Sequence, residues 1–236
     1  MIEAVSKAAG RGFAAIFAVL KVFRGKRPIH TQGVSLTGTI ERFGATDSGL
    51  SWIDTPGIVP LHARLSRSVG LPKSWPDIIG LGLRISDDGG SFDILLASTG
   101  MSRVGRFLLL PHQLASSARL TSLMPYRGSH GPVLLAARTL EPDDPLPSGP
   151  EAYLTTLGAR DWQLALYFAS PSGEWNRFGT LSLKPDAARV DTDLRFDPVL
   201  NPLPGAGMYG WTSRLRVPSY ATARKPKGRS SGAGEA

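Results

Sequence analysis

The chain has 236 residues, of which 42% are hydrophobic, 19% charged and 8% aromatic, enough apolar side chain to bury a sizeable core and too much for a disordered polymer. It contains no cysteine, which excludes disulfide scaffolds, zinc knuckles, iron–sulfur ligation and thiol nucleophiles. The formal charge of +8 raises nucleic acid, an anionic membrane or an acidic ligand as partners.

Residues 1–30 carry a net +5 and residues 222–236 a net +3, while in the stretch between them seventeen bases balance seventeen acids. The excess therefore sits at the two ends. No basic groove is indicated across the body, and no specific nucleic-acid partner is expected.

In chain order, residues 4–23 are apolar and helix-prone. Their longest uncharged run, residues 12–20, is too short to span a bilayer. Glu3 and the lack of a small-residue cleavage site argue against a signal peptide and for a cytoplasmic location. The segment reads as a helix that docks on the domain or on a second copy in a homodimer, with peripheral membrane contact as its other use. Residues 33–42 alternate apolar and polar side chains as a half-buried strand does. Further strands are predicted at 79–85, 92–97, 132–139, 162–168, 179–183 and 189–196, and helices at 101–118 and 150–158. Residues 143–150 and 201–208 read as Pro- and Gly-rich loops, and residues 225–236 as a disordered basic tail. No internal repeat occurs. Seven or so short strands at this spacing predict an α+β chain, predominantly β: an antiparallel barrel with peripheral helices. The divisions expected are an arm at 1–26, the barrel domain at 27–221 and the tail at 222–236.

Several patterns fail on context. Gly205-Ala-Gly-Met-Tyr-Gly210 fits the dinucleotide fingerprint but follows a Pro-rich loop rather than a strand. The acidic pairs at 87–88 and 143–144 lie beside Gly or Pro, where turn chemistry explains them. His30, His62, His112 and His130 lack metal-ligand spacing.

Three separated segments converge on one chemistry. The first is Arg27-Pro-Ile-His30-Thr-Gln-Gly33, with another glycine at Gly38. The second is Ala63-Arg64-Leu65-Ser66, followed by Gly80-Leu-Gly-Leu-Arg-Ile85 and Phe92-Asp93-Ile-Leu95. The third is Arg216-Val-Pro-Ser-Tyr220. Read singly, each has a plainer explanation: Arg27 extends a basic patch, Arg64 is a surface charge, His30 is a core histidine and Tyr220 a packing residue.

In this order and spacing the segments resemble the haem catalase superfamily. Its members carry an arginine three residues before a distal histidine and glycines three and eight residues after it. They then carry an Arg-Phe-Ser, a glycine-led strand, an aromatic-Asp-Leu, and an Arg-x-x-x-Tyr whose tyrosine binds the iron. The resemblance implies a haem b cofactor with Tyr220 as the iron ligand and Arg216 beside its phenolate, and with Arg27 and Arg64 on the propionates. His30 becomes the distal base, supported by Ser66. Holding a tyrosine as phenolate at neutral pH takes about 4 kcal/mol, which ferric iron and a nearby guanidinium supply. Propionates suit arginine forks, and a neutral imidazole can take a proton from one peroxide oxygen and return it to the other.

The chain also departs from the family. Ser98 stands where catalases have a distal asparagine, so Ser98 is a candidate replacement. Thr31 follows His30 where they have alanine, Pro218 interrupts the Arg-x-x-x-Tyr, and the chain is about half the length of a full catalase. The expectation is a compact haem protein of peroxidase or peroxygenase type, a weak catalase at best, acting on hydrogen peroxide or organic hydroperoxides. The alternatives are a non-enzymatic haem-binding or haem-free protein of the same fold, and a basic-ended barrel that associates with membrane or nucleic acid.

Overall fold

In the computed structural model of the chain, residues 33–44, 47–87 and 89–212 are described. The predicted arm and tail lie outside them. So do Arg27, His30, Arg216 and Tyr220.

The described residues form nine strands: β1 (Gly33–Arg42), β2 (Gly57–Arg67), β3 (Ile79–Asp87), β4 (Gly90–Ser98), β5 (Arg119–Thr121), β6 (Tyr126–Gly128), β7 (Gly131–Glu141), β8 (Trp162–Ala169) and β9 (Asn176–Pro185). All pairings are antiparallel. The order runs β5-β4-β3-β2-β1-β9-β8-β7, and pairing of β5 with β7 closes the ring. Eight strands thus form a closed barrel, which leaves no long exposed edge, and β6 is a short hairpin arm on β7. Among the described residues it is accompanied by the helices α1 (Ser51–Asp54) and α2 (Pro150–Leu157). The second starts with Pro150 at its first position and ends at Gly158, which has a positive φ of 58°, as proline and glycine favour.

Alternation along each strand fills the barrel. Val34, Leu36 and Ile40 of β1, Val59, Leu61, Ala63 and Leu65 of β2, and Ile79, Leu81, Leu83 and Ile85 of β3 are all buried in one core. β4 adds Phe92, Ile94 and Leu96. Trp52 of α1 packs edge-on to Phe92 (5.1 Å) and Phe178 (6.4 Å). Arg42 lies over the Trp52 ring, 4.5 Å from its centroid. Trp162 is fully buried, meets Tyr153 of α2 edge-on and donates its indole N–H to Thr139.

Two predicted elements are corrected. Residues 101–118 are not a helix; they form a loop with one 3-10 turn, Gly105–Phe107. Gly100 and Gly105 approach so closely that a Cβ on Gly100 would lie 3.0 Å from Gly105. Arg106, itself buried, donates to the carbonyls of Ser102, Ser170 and Gly173. The loop then makes isolated bridges to Thr99 and Asp77, so tertiary partners outweigh the helical propensity of its leucine run. Residues 189–196 are not a sheet strand; they lie on the outside of the barrel, held by backbone and side-chain hydrogen bonds to β1, β2 and β3. β2 was not among the predicted strands, although its alternation of Val59, Leu61, Ala63 and Leu65 with Pro60, His62, Arg64 and Ser66 is regular.

Candidate functional site on the outer barrel wall

Partners directly opposite in an antiparallel pair point to the same side, so the register reads out the outer wall of β1–β4 as rows. One row is Gly33, Ser66, Gly80 and Ala97. The next is Ser35, Arg64, Gly82 and Leu95, and the third Thr37, His62, Arg84 and Asp93. The first row has no side chain larger than serine over four strands, about 14 Å of wall at ~4.8 Å per strand. The second and third rows carry the charge.

A strap formed by residues 186–201 crosses this wall. Its first anchor is reciprocal: Ser35 donates its hydroxyl to Asp186 (2.8 Å) and its N–H to the Val190 carbonyl (2.8 Å), and Asp186 returns its N–H to the Ser35 carbonyl (3.0 Å). The Ala188 N–H is the main influence holding the Asp186 carboxyl below its ordinary range, with burial opposing and Ser35 assisting. At the far end, fully buried Asp93 accepts both prongs of the Arg84 guanidinium (2.8 and 2.7 Å), the Asp197 N–H (2.6 Å) and the Asn201 amide (2.9 Å). Hydrogen bonding to Asp93 raises the Arg84 pKa against the opposing effect of burial. Arg84 also donates to the Arg195 carbonyl, and the Phe196 ring lies on Gly82, where a Cβ would come within 2.8 Å of it.

Between these anchors Asp191 takes both prongs of Arg64, Nε at 2.7 Å and Nη2 at 2.8 Å. It also receives the N–H of Thr192 at 2.8 Å and a backbone hydrogen bond from Gly33. Burial disfavours its charge, but these donors prevail and hold its pKa below the usual value. The guanidinium lies against Gly33, where a Cβ would sit 2.7 Å from it.

Of the site residues expected from sequence, Arg64 and Ser66 therefore stand on the same face in adjacent rows. Ser66 is buried, with its hydroxyl 3.4 Å from the Gly80 carbonyl. Ser98 does not join them. Strand alternation turns it to the other face, where it is fully buried, donates its hydroxyl to the Leu110 carbonyl (2.6 Å) and accepts the Ile79 N–H (3.0 Å). Its hydroxyl, donating to one and accepting from the other, thus ties the loop after β4 to the start of β3. Gly38, the other glycine of the first segment, lies where β1 is flanked by β9, and a Cβ there would collide with the Ser182 carbonyl. The sequence reading missed Asp191, Phe196, Asp197 and Asn201. The density of aspartates in residues 186–197 is the signal that argued against a central strand there.

Among the described residues no three His, Asp or Glu side chains are grouped to hold a metal ion directly. No helix among them is long and apolar enough to cross a membrane.

No protein-family model matches the chain, and no curated protein is similar to it in sequence. Solved structures are similar in fold. A bacterial catalase superposes with a TM-score of 0.59 at 12% identity, covering 84% of this chain and 57% of its own. A fungal catalase gives 0.60 at 13% identity, with 88% and 60% covered. Catalase A from Saccharomyces cerevisiae gives 0.61 at 14% identity, with 84% and 60% covered. The chain has a catalase-like fold and spans somewhat under two thirds of the length of these catalases.

Proposed function

We propose that this catalase-fold chain binds haem b and acts on hydrogen peroxide or organic hydroperoxides as a peroxidase or peroxygenase. The observation that carries the reading is the row Gly33, Ser66, Gly80 and Ala97 on the outer wall, with the Arg64 guanidinium lying over its Gly33 end. A flat macrocycle needs a wall without projecting side chains, and its two carboxylates need a guanidinium at the edge. The residues present fit such a group. Arg64 and Arg27 would hold the propionates, Tyr220 the iron, and Arg216 the phenolate charge.

When bound, the haem supplies an iron centre at which a peroxide O–O bond is broken. The chain's own part is proton handling. His30, as a neutral imidazole, would take a proton from one peroxide oxygen and return it to the other. Ser66 would orient the imidazole, as outer partners fix a ring nitrogen. Ser98 fits the role of a distal donor poorly, because its proton already goes to Leu110. That commitment supports peroxidase-type turnover over fast dismutation.

A haem-free protein of the same fold is the second reading, favoured by the Asp191 carboxylate already on Arg64. The absorption spectrum of the purified full chain decides between them. Haem binding predicts a Soret band that shifts in Tyr220→Phe, and loss of peroxide turnover with haem retained in His30→Ala. A chain that takes up no haem when titrated with haemin overturns the proposal.

A further inference from the structure

Resting on the haem reading above, we infer that Asp191 is a built-in occupant of a carboxylate site formed by the Arg64 fork and the Gly33 N–H. A haem propionate would enter that site by displacing Asp191.

The donors around Asp191 are those that would recognise a ligand carboxylate: two parallel guanidinium N–H groups at 2.7 and 2.8 Å and a backbone N–H from the first residue of β1. Bidentate pairing of this kind is among the strongest and most geometrically selective of charged hydrogen bonds. A second carboxylate on the same fork would face Asp191 at close range, and like charges at that distance cannot share it without loss. The two anions are therefore alternatives.

The strap is built so that one can leave. Its ends are held independently of Arg64, by Ser35 with Asp186 and by Asp93 with Asp197 and Asn201. The stretch between them has no sheet pairing. Val190, Asp191, Asp193 and Arg195 are all exposed, and the Asp191 side chain retains 37% of its accessible surface, against 14% for Arg64. Asp191 can swing into water, where its charge is solvated, while Arg64 stays against Gly33. The strap thereby sets the threshold for ligand entry on the row beside it and screens out ligands that lack a carboxylate.

Haemin titration of the full chain, followed at the Soret band, tests this with Asp191→Asn and, as a control for net charge, Asp193→Asn. The expected result is binding about tenfold tighter or more in Asp191→Asn, the scale of one charge-assisted hydrogen bond removed from the competitor, with Asp193→Asn unchanged. Haem uptake that is equal or weaker in Asp191→Asn overturns the exchange while leaving the haem reading intact. Absence of uptake in every variant overturns both. Should Asp191→Asn fold poorly, amide hydrogen exchange on the unaltered chain gives a second reading. Residues 190–196 should exchange faster once haemin is added, and unchanged or slower exchange counts against displacement.

Discussion

The same four strands, β1 to β4, present two faces of opposite character. Facing inward, Leu36, Leu65, Leu83 and Ile94 belong to a continuous aliphatic core. Facing outward, the rows between them are mostly small or polar residues and ion pairs, crossed by a strap rather than by a second sheet. The inward face is stabilised by non-directional burial and tolerates exchange among residues of similar volume. The outward face depends on direction: each carboxylate of Asp93, Asp186 and Asp191 meets specific donors. One face makes the barrel, and the other makes it a particular barrel.

The contrast can be broken from either side. Leu83→Ala on the inward face should destabilise the chain by about 4 kcal/mol, through lost transfer energy and the cavity left behind, as read from denaturant unfolding. A cost under about 1 kcal/mol would mean that the interior collapses freely around the gap. Asp93→Ala on the outward face should cost about 3 kcal/mol. It strands the Arg84 guanidinium and removes the acceptor for Asp197 and Asn201, and Arg84 keeps enough contact with water to hold the loss at the lower end for a broken ion pair. The same substitution should expose residues 195–201 to proteolysis while the barrel stays folded, which Leu83→Ala should not do. Equal protection of the strap in both variants would erase the distinction.

The smallest effect concerns the loop that caps the barrel beside β3. Burial, with Arg119 adding to it, lowers the pKa of His112 below its ordinary 6.5, so the folded chain favours the neutral ring. The unfolded chain binds the proton more readily. The stability contributed by neutral His112 is therefore complete above pH 6.5 and is lost as the pH falls through the folded-state value. Unfolding free energy measured from pH 7 to pH 5 should decline, and His112→Gln should flatten that decline. An equal slope in both proteins would place the proton uptake elsewhere.

Much of the fold was legible because period-two alternation is a direct consequence of a strand with one face buried. Residues 33–42, 79–85, 92–97, 132–139, 162–168 and 179–183 all fall within observed strands. β2 carries the same alternation, yet it entered the sequence reading for its Arg64 and Ser66 alone. Residues 101–118 misled because local propensity contains no information about Ser170 and Gly173, the distant carbonyls that capture Arg106. The strap misled in the opposite sense. Its residues were predicted as a strand, but they have no ladder partner. At the candidate site, Arg64 and Ser66 are two residues apart on one strand, so alternation puts them on neighbouring rows of one face. The sequence reading placed Ser98 by counting from Asp93, and an odd offset of five along a strand reverses the face.

What the sequence determined by itself was therefore six of the barrel's strands, the barrel they imply, the neutrality of the body between two basic ends, and the chemical types gathered on β1 to β4. Those follow from local periodicity and composition, which each segment carries regardless of its neighbours. Tertiary structure alone decided which anion sits on Arg64, which groups hold Ser98, and that residues 186–201 cross the outer wall. These are contacts between residues separated by up to 151 positions in the chain, and no local pattern specifies a partner at that distance. The +8 charge shows the same division. Its placement at the termini was arithmetic on the sequence, but the carboxylates within the chain that Arg84 and Arg64 clamp emerged only when strand register brought Arg84 to Asp93 and the strap brought Asp191 to Arg64.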